Sequence, residues 1–263
     1  MTTAILSALP EEQSSLLQLL QKKERFTHAG RTFCRGFLYD QAVVLALSGI
    51  GKVAAATTAT ALIERFGAQR IVFTGVAGGI GEGVQVGDVV IASDYLQHDM
   101  DASPLFPRWE LPGYGSARLA CDAALSASLL IAARAYLASA VADFDTKNRV
   151  PQAHQGLIAS GDRFVATAQE SGALRQALAN AGHPVLAVEM EGAAVAQVCQ
   201  DYGLPFAAMR TISDRADNSA HVDFSHFVQQ VASRYAGGVV GAWLAAGAVG
   251  STTYADSAPA SLV

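Results

Sequence analysis

Short apolar runs alternate along the chain with longer stretches rich in alanine and leucine. The runs at 4–8, 32–38, 42–48, 71–74, 88–93, 154–160, 185–188 and 206–212 predict strands, because a buried strand shows a short apolar run bounded by turn residues. The stretches at 10–22, 53–66, 120–140, 168–181, 191–202 and 224–244 predict helices. Pro10 suits a helix start, where its missing N–H would have had no partner. Residues 39–41, Tyr-Asp-Gln, predict a hairpin between the second and third strands. The strings Ser-Gly-Ile-Gly-Lys (48–52) and Gly-Val-Ala-Gly-Gly-Ile-Gly (75–81) each predict a tight turn that lets backbone approach a ligand or another chain segment.

Strand–helix alternation with short connections predicts a single α/β domain, residues 1–248, around a mostly parallel or mixed sheet. The apolar stretch at 236–250 is too short to span a bilayer and predicts a buried helix end. Residues 249–263 have the Ser/Ala/Thr/Pro character of a disordered tail.

Composition narrows the function. The chain of 263 residues is 51% hydrophobic and 16% charged, enough to bury a sizeable core, and its net charge is -5. No Lys/Arg run exceeds Lys22-Lys23, so neither nucleic acid nor a membrane surface is the expected partner. Three scattered cysteines, Cys34, Cys121 and Cys199, form no C-x-x-C pair. With an N-terminus that lacks a basic leader, they lead to the expectation of a reducing, cytoplasmic setting.

In such a sheet ligands bind beyond the carboxyl ends of the strands. The polar residues there are Glu11 and Glu12, Ser48 and Gly49, Thr74 to Gly79, Glu189 to Glu191, and Ser213 with Asp214. Glu189 near a helix start would complement the helix dipole. Glu191 is better placed to accept ligand hydroxyls, since a carboxylate only accepts hydrogen bonds. Neither glycine string has the spacing of a phosphate loop or a dinucleotide fingerprint. His98, Asp99 and Asp101 fall short of a metal ligand set, and His154, His183, His221 and His226 read as structural. No G-x-S-x-G elbow is present. No cofactor is implied.

Nine strings stand in order between residues 4 and 245: Ala-Leu-Pro-Glu-Glu (8–12), Ser-Gly-Ile-Gly-Lys (48–52), Thr-Gly-Val-Ala-Gly-Gly (74–79), Val-Gly-Asp (86–88), His-Asp-Met-Asp (98–101), Leu-Pro-Gly (111–113), Ser-Gly-Asp-Arg-Phe-Val (160–165), Val-Glu-Met-Glu (188–191) and Arg-Thr-Ile-Ser-Asp (210–214). Together they resemble the 5′-methylthioadenosine/S-adenosylhomocysteine nucleosidases of the purine nucleoside phosphorylase/nucleosidase superfamily. The resemblance implies a three-layer sandwich with a mixed central sheet flanked by helices. It also implies hydrolysis of the bond between ribose and adenine. By similarity Asp214 protonates or hydrogen-bonds adenine N7, with Ser213 beside it. Glu191 binds the ribose hydroxyls next to Met190. Glu12 takes a proton from the attacking water, which Arg210 helps to place. Phe164 stacks on adenine, Val165 reads its edge, Phe224 covers the ribose, and Ile50 lines the 5′ pocket.

The related phosphorylases carry a Gly-Asp-Pro-x-Arg string after the first strand. Here Leu9-Pro10-Glu11-Glu12 stands in that place, and an acid there repels phosphate. Family members form homodimers in which the neighbour lends apolar residues near 102–105, here Ala102 and Leu105. Val76 stands where many bacterial members have serine beside the water. Futalosine-type hydrolases also carry an apolar residue in this string, so another 5′ substituent, or a binding module without catalysis, remains open.

Overall fold

The first apolar run forms β1 (Thr3–Ser7), buried at every position. Alternate residues face opposite sides, as the two-residue period of a strand requires. Ala4 and Leu6 enter one core cluster and Ile5 the other. In the computed structural model, residues 1–139, 149–218 and 220–252 are described. β1 lies between two parallel neighbours, β4 (Gln41–Leu47) and β5 (Arg70–Gly79). Beyond β4 come β3 (Arg31–Leu38) and then β2 (Gln21–His28), both antiparallel. The expected hairpin through 39–41 thus forms, with Tyr39 and Asp40 at φ of 50° and 60°.

On its other side β5 runs parallel to β10 (Phe206–Asp214). β10 pairs antiparallel with β6 (Val89–Gln97), which is parallel to β8 (Ala153–Ser160), itself parallel to β9 (Val185–Glu189). A short strand, β7 (Arg118–Ala120), edges β6. β9 then returns to β5, where Gly78 and Gly79 pair with Val188 and Ala187. The expected mixed sheet is present, and five of its strands, β5, β10, β6, β8 and β9, close into a ring.

That closure corrects the reading of residues 75–81 as a tight turn, because β5 runs extended to Gly79. Glycine is needed there for close approach. A Cβ at Gly79 would lie 2.9 Å from Ile212 Cγ2, and one at Gly81 only 2.7 Å from Leu186 Cα. Side chains would push the closing strand off its partners.

Helices cover both faces. α1 (Pro10–Leu19), α3 (Ala123–Ser139) and α7 (Ser233–Thr252) pack on one side over Leu16, Leu129 and Val239. α2 (Lys52–Glu64) and α5 (Gly192–Asp201) pack together on the other, and α4 (Ala168–Asn180) lies against β9. α6 (Ala220–Phe227) leads through a π-helical turn, Val228–Ala232, into α7. The single helix expected at 224–244 is therefore a composite that begins earlier.

Three further expectations change. The helix expected at 10–22 ends at Leu19, and β2 follows, exposed at every position. The helix expected from 120 begins at Ala123, because 118–120 pair with β6. α7 continues to Thr252, past the expected boundary at 248. Residues 253–263, most of the expected tail, lie outside the described residues. Among the described residues no helix is long and apolar enough to cross a membrane.

Candidate active site

A cavity of about 340 Å³ opens where β1, β5, β9 and β10 end. That is the small end of the range for small-molecule sites, roughly 300–1,000 Å³. Glu12 enters from the first turn of α1, Glu191 from the start of α5, and Asp214 from the last position of β10. All three carboxyls line the cavity and are buried.

Glu12 sits on the third residue of α1 and reaches back to the helix start. Its Oε2 accepts the N–H groups of Ala8 and Leu9, each at 2.9 Å, which satisfies donors that a helix start leaves unpaired. Oε1 accepts the Val76 N–H at 3.1 Å. Burial pushes the carboxyl above its ordinary range, opposed by these donors and by the nearby charge of Arg210. Gly75 makes room, since a Cβ there would lie 2.9 Å from Glu12 Oε1.

Glu189 and Glu191 leave the same strand and divide the work. Glu189 caps α5, accepting the Gly192 N–H at 2.9 Å from one oxygen and a hydroxyl bond from Ser160 on the other. Arg210 grips it through Nη2 at 2.6 Å and Nε at 3.2 Å, both side chains almost fully buried. Glu191 points into the cavity and accepts a single backbone donor, the Gly51 N–H at 2.8 Å. Burial, reinforced by the charge of Glu189, pushes Glu191 up to about 8. The turn at 48–52 does form as expected, with Gly49 and Gly51 at φ of 77° and 98°.

Asp214 receives Ser213 Oγ at 2.7 Å on Oδ2 and the Ala216 N–H at 2.8 Å on Oδ1. Burial nevertheless raises it, with Asp223 and Asp217 adding like charge. All three acids, Glu12, Glu191 and Asp214, are thus biased by burial toward holding a proton, Glu12 against the pull of its three backbone donors and Arg210. Phe164 and Phe224 line the same cavity with ring centroids 5.7 Å apart, edge to face.

The sequence profile of the phosphorylase superfamily matches residues 2–245. A nucleosidase of Oceanobacillus iheyensis that acts on 5′-methylthioadenosine and S-adenosylhomocysteine by its name is 36% identical over 230 residues, 87% of this chain and 93% of that one. The chain belongs to the 5′-methylthioadenosine/S-adenosylhomocysteine nucleosidase family. The nucleosidase structure of Neisseria meningitidis in complex with methylthio-immucillin-A aligns at a TM-score of 0.82 and 34% identity, covering 93% of this chain and 99% of that one. The futalosine hydrolase of Helicobacter pylori aligns at 0.79 and 30% identity, covering 92% and 97%.

Most residues that family resemblance singled out come together. Ile50, Phe164, Val165, Met190, Ser213 and Phe224 line the cavity beside the three acids. Arg210 does not: it lies behind the wall, held by Glu189. Ala102 and Leu105 also lie outside this cavity, and Leu105 is 84% exposed. Leu9, Arg163 and Val188 line the cavity without having been singled out. Their signal was their place in the strings 8–12, 160–165 and 188–191, which carry the resemblance without giving these three a role. The Gly51 N–H that holds Glu191 left no side-chain signal at all. Among the described residues no group of His, Cys, Asp and Glu is arranged to hold a metal.

Proposed function

We propose that the protein hydrolyses the N-glycosidic bond of 5′-methylthioadenosine and S-adenosylhomocysteine, releasing adenine and the 5-thioribose product. The convergence of three buried carboxylates on one apolar cavity carries this reading. Breaking the bond needs a leaving base made neutral, a cationic sugar stabilised and a water deprotonated. Asp214, raised by burial, holds a proton to give to adenine N7. Glu191 accepts the ribose hydroxyls, and positive charge developing on the sugar draws it into its ionised form, where low dielectric strengthens the attraction. Glu12 takes the proton of the attacking water, its carboxylate aimed by three backbone donors.

Water is favoured over phosphate as the nucleophile. Arg210 is committed to Glu189, and the cavity's own cation, Arg163, is mostly exposed and paired with Glu170 at 2.5 Å. A dianion beside Glu12 would meet repulsion. Adenine release from methylthioadenosine should therefore proceed in phosphate-free buffer at an undiminished rate. Turnover that begins only when phosphate is added would overturn the hydrolase reading.

Val76 favours a second reading of the 5′ substituent. Its buried side chain puts an apolar wall next to Glu12, and a futalosine-type nucleoside belongs in the same substrate panel. The reading also includes a cytoplasmic homodimer. The three cysteines, all free and buried, support a reducing setting, and the exposed Leu105 supports a partner subunit.

A further inference from the structure

α2 begins at Lys52 behind Gly51, which has no side chain to cap it. The capping oxygen comes instead from 110 residues away: the Lys52 N–H donates to Asp162 Oδ1 at 2.8 Å. The Asp162 N–H in turn donates to Asp99 Oδ2 at 2.8 Å. Lys52 Nζ closes the triangle on Asp99 Oδ1 at 2.6 Å and adds a bond to Gln97 Oε1 at 3.0 Å. The lysine side chain is only 17% exposed and that of Asp99 32%, so salt screens this pair less than a surface one.

Two corners of the triangle adjoin different walls of the cavity, and the third leads into the 102–105 segment outside it. Gly51, next to Lys52, holds Glu191 through its N–H. Phe164 and Val165 follow Asp162 by two and three residues and line the cavity. Asp99 follows the end of β6 and opens the segment that carries Ala102 and Leu105. Without the ammonium, Asp99 and Asp162 would face one another as like charges, and only the Lys52 N–H would tie the turn at 48–52 to the loop bearing Phe164.

We infer that Lys52 is a positioning residue that clamps the Glu191 wall of the nucleoside cavity to the Phe164 wall through Asp99 and Asp162. The inference rests on the hydrolase reading above. Lys52 touches no reacting atom; its effect passes through the Gly51 N–H and the 162–165 loop.

The test measures adenine release and thermal unfolding for the full chain and its variants. Lys52→Met should lose about 10²-fold in kcat/KM, the size of loss that small misplacements cause, with KM raised as well as kcat lowered. Lys52→Arg should recover about tenfold of that loss. Adding Asp99→Asn to Lys52→Met should cost little more, because one clamp breaks only once. Near-normal kcat/KM in Lys52→Met, or fully additive losses in the double variant, would overturn the clamp. Should Lys52→Met fail to fold, Asp99→Asn alone is read for the same rise in KM, and an unchanged KM overturns it. If the wild-type protein releases no adenine, the hydrolase reading fails by itself. The clamp is then read by calorimetry as about tenfold weaker binding of methylthioadenosine to Lys52→Met, and equal binding overturns it.

Discussion

Asp214 is shifted toward its protonated form because desolvation of the ion outweighs the bonds from Ser213 and the Ala216 N–H. Asp214→Asn keeps the shape and removes the acid. Steady-state kinetics should show kcat lower by about 10²–10⁴-fold, the usual worth of general acid catalysis, with KM changed far less. Near-normal turnover would remove Asp214 from the mechanism. Glu191 gives a prediction about stability. Burial and the charge of Glu189 push its folded-state group up to about 8 from an ordinary 4.5. Ionising it therefore costs the folded state, and the stability present below about 4.5 is lost as pH rises through about 8. Glu191→Gln cannot ionise. Thermal melts should show the variant gaining on wild type between pH 5 and pH 9, on the order of a few kcal/mol. A pH-independent gap would refute this. At this scale the acids were legible as polar residues leaving apolar runs. What Arg210 binds was not, because its partner Glu189 is 21 residues away on another strand.

Among the elements, β5 decides the site's geometry. Its glycines admit the carboxylates as well as the neighbouring strand. A Cβ at Gly75 would meet Glu12 Oε1, and one at Gly78 would lie 3.1 Å from Asp214 Oδ1. Gly75→Ala should thus displace Glu12 and lower kcat by about 10-fold or more. Circular dichroism should show the secondary structure retained, and an unchanged kcat would show that the wall yields without moving Glu12. The apolar strands were visible because burial wrote a continuous run into each. β2 was not: Gln21–His28 is mostly polar and exposed, and it pairs with β3 without a buried apolar run. The extended course of Gly75–Gly79 was hidden for a related reason, since the glycine content that suggests a turn is also what close strand approach requires.

For the whole molecule, the proposed homodimer would cover large apolar side chains left in water. Ile50, Val53 and Leu105 are 57%, 78% and 84% exposed. Lys52 joins the first two to the segment of the third through Asp99. Sedimentation should find a dimer for the wild-type chain and a monomer for Val53→Glu/Leu105→Glu, with KM raised as the 5′ pocket loses its second wall. A monomeric, fully active wild type would exclude the shared pocket. The sequence by itself determined the α/β class, the order of the buried strands and the main helices between them, and which acids leave strand ends, because these follow from local periodicity and adjacency. Only the tertiary structure decided that five strands close into a ring, that Arg210 serves Glu189, and that the Gly51 N–H serves Glu191. Each of these depends on contacts between segments tens to hundreds of residues apart, which local pattern does not encode.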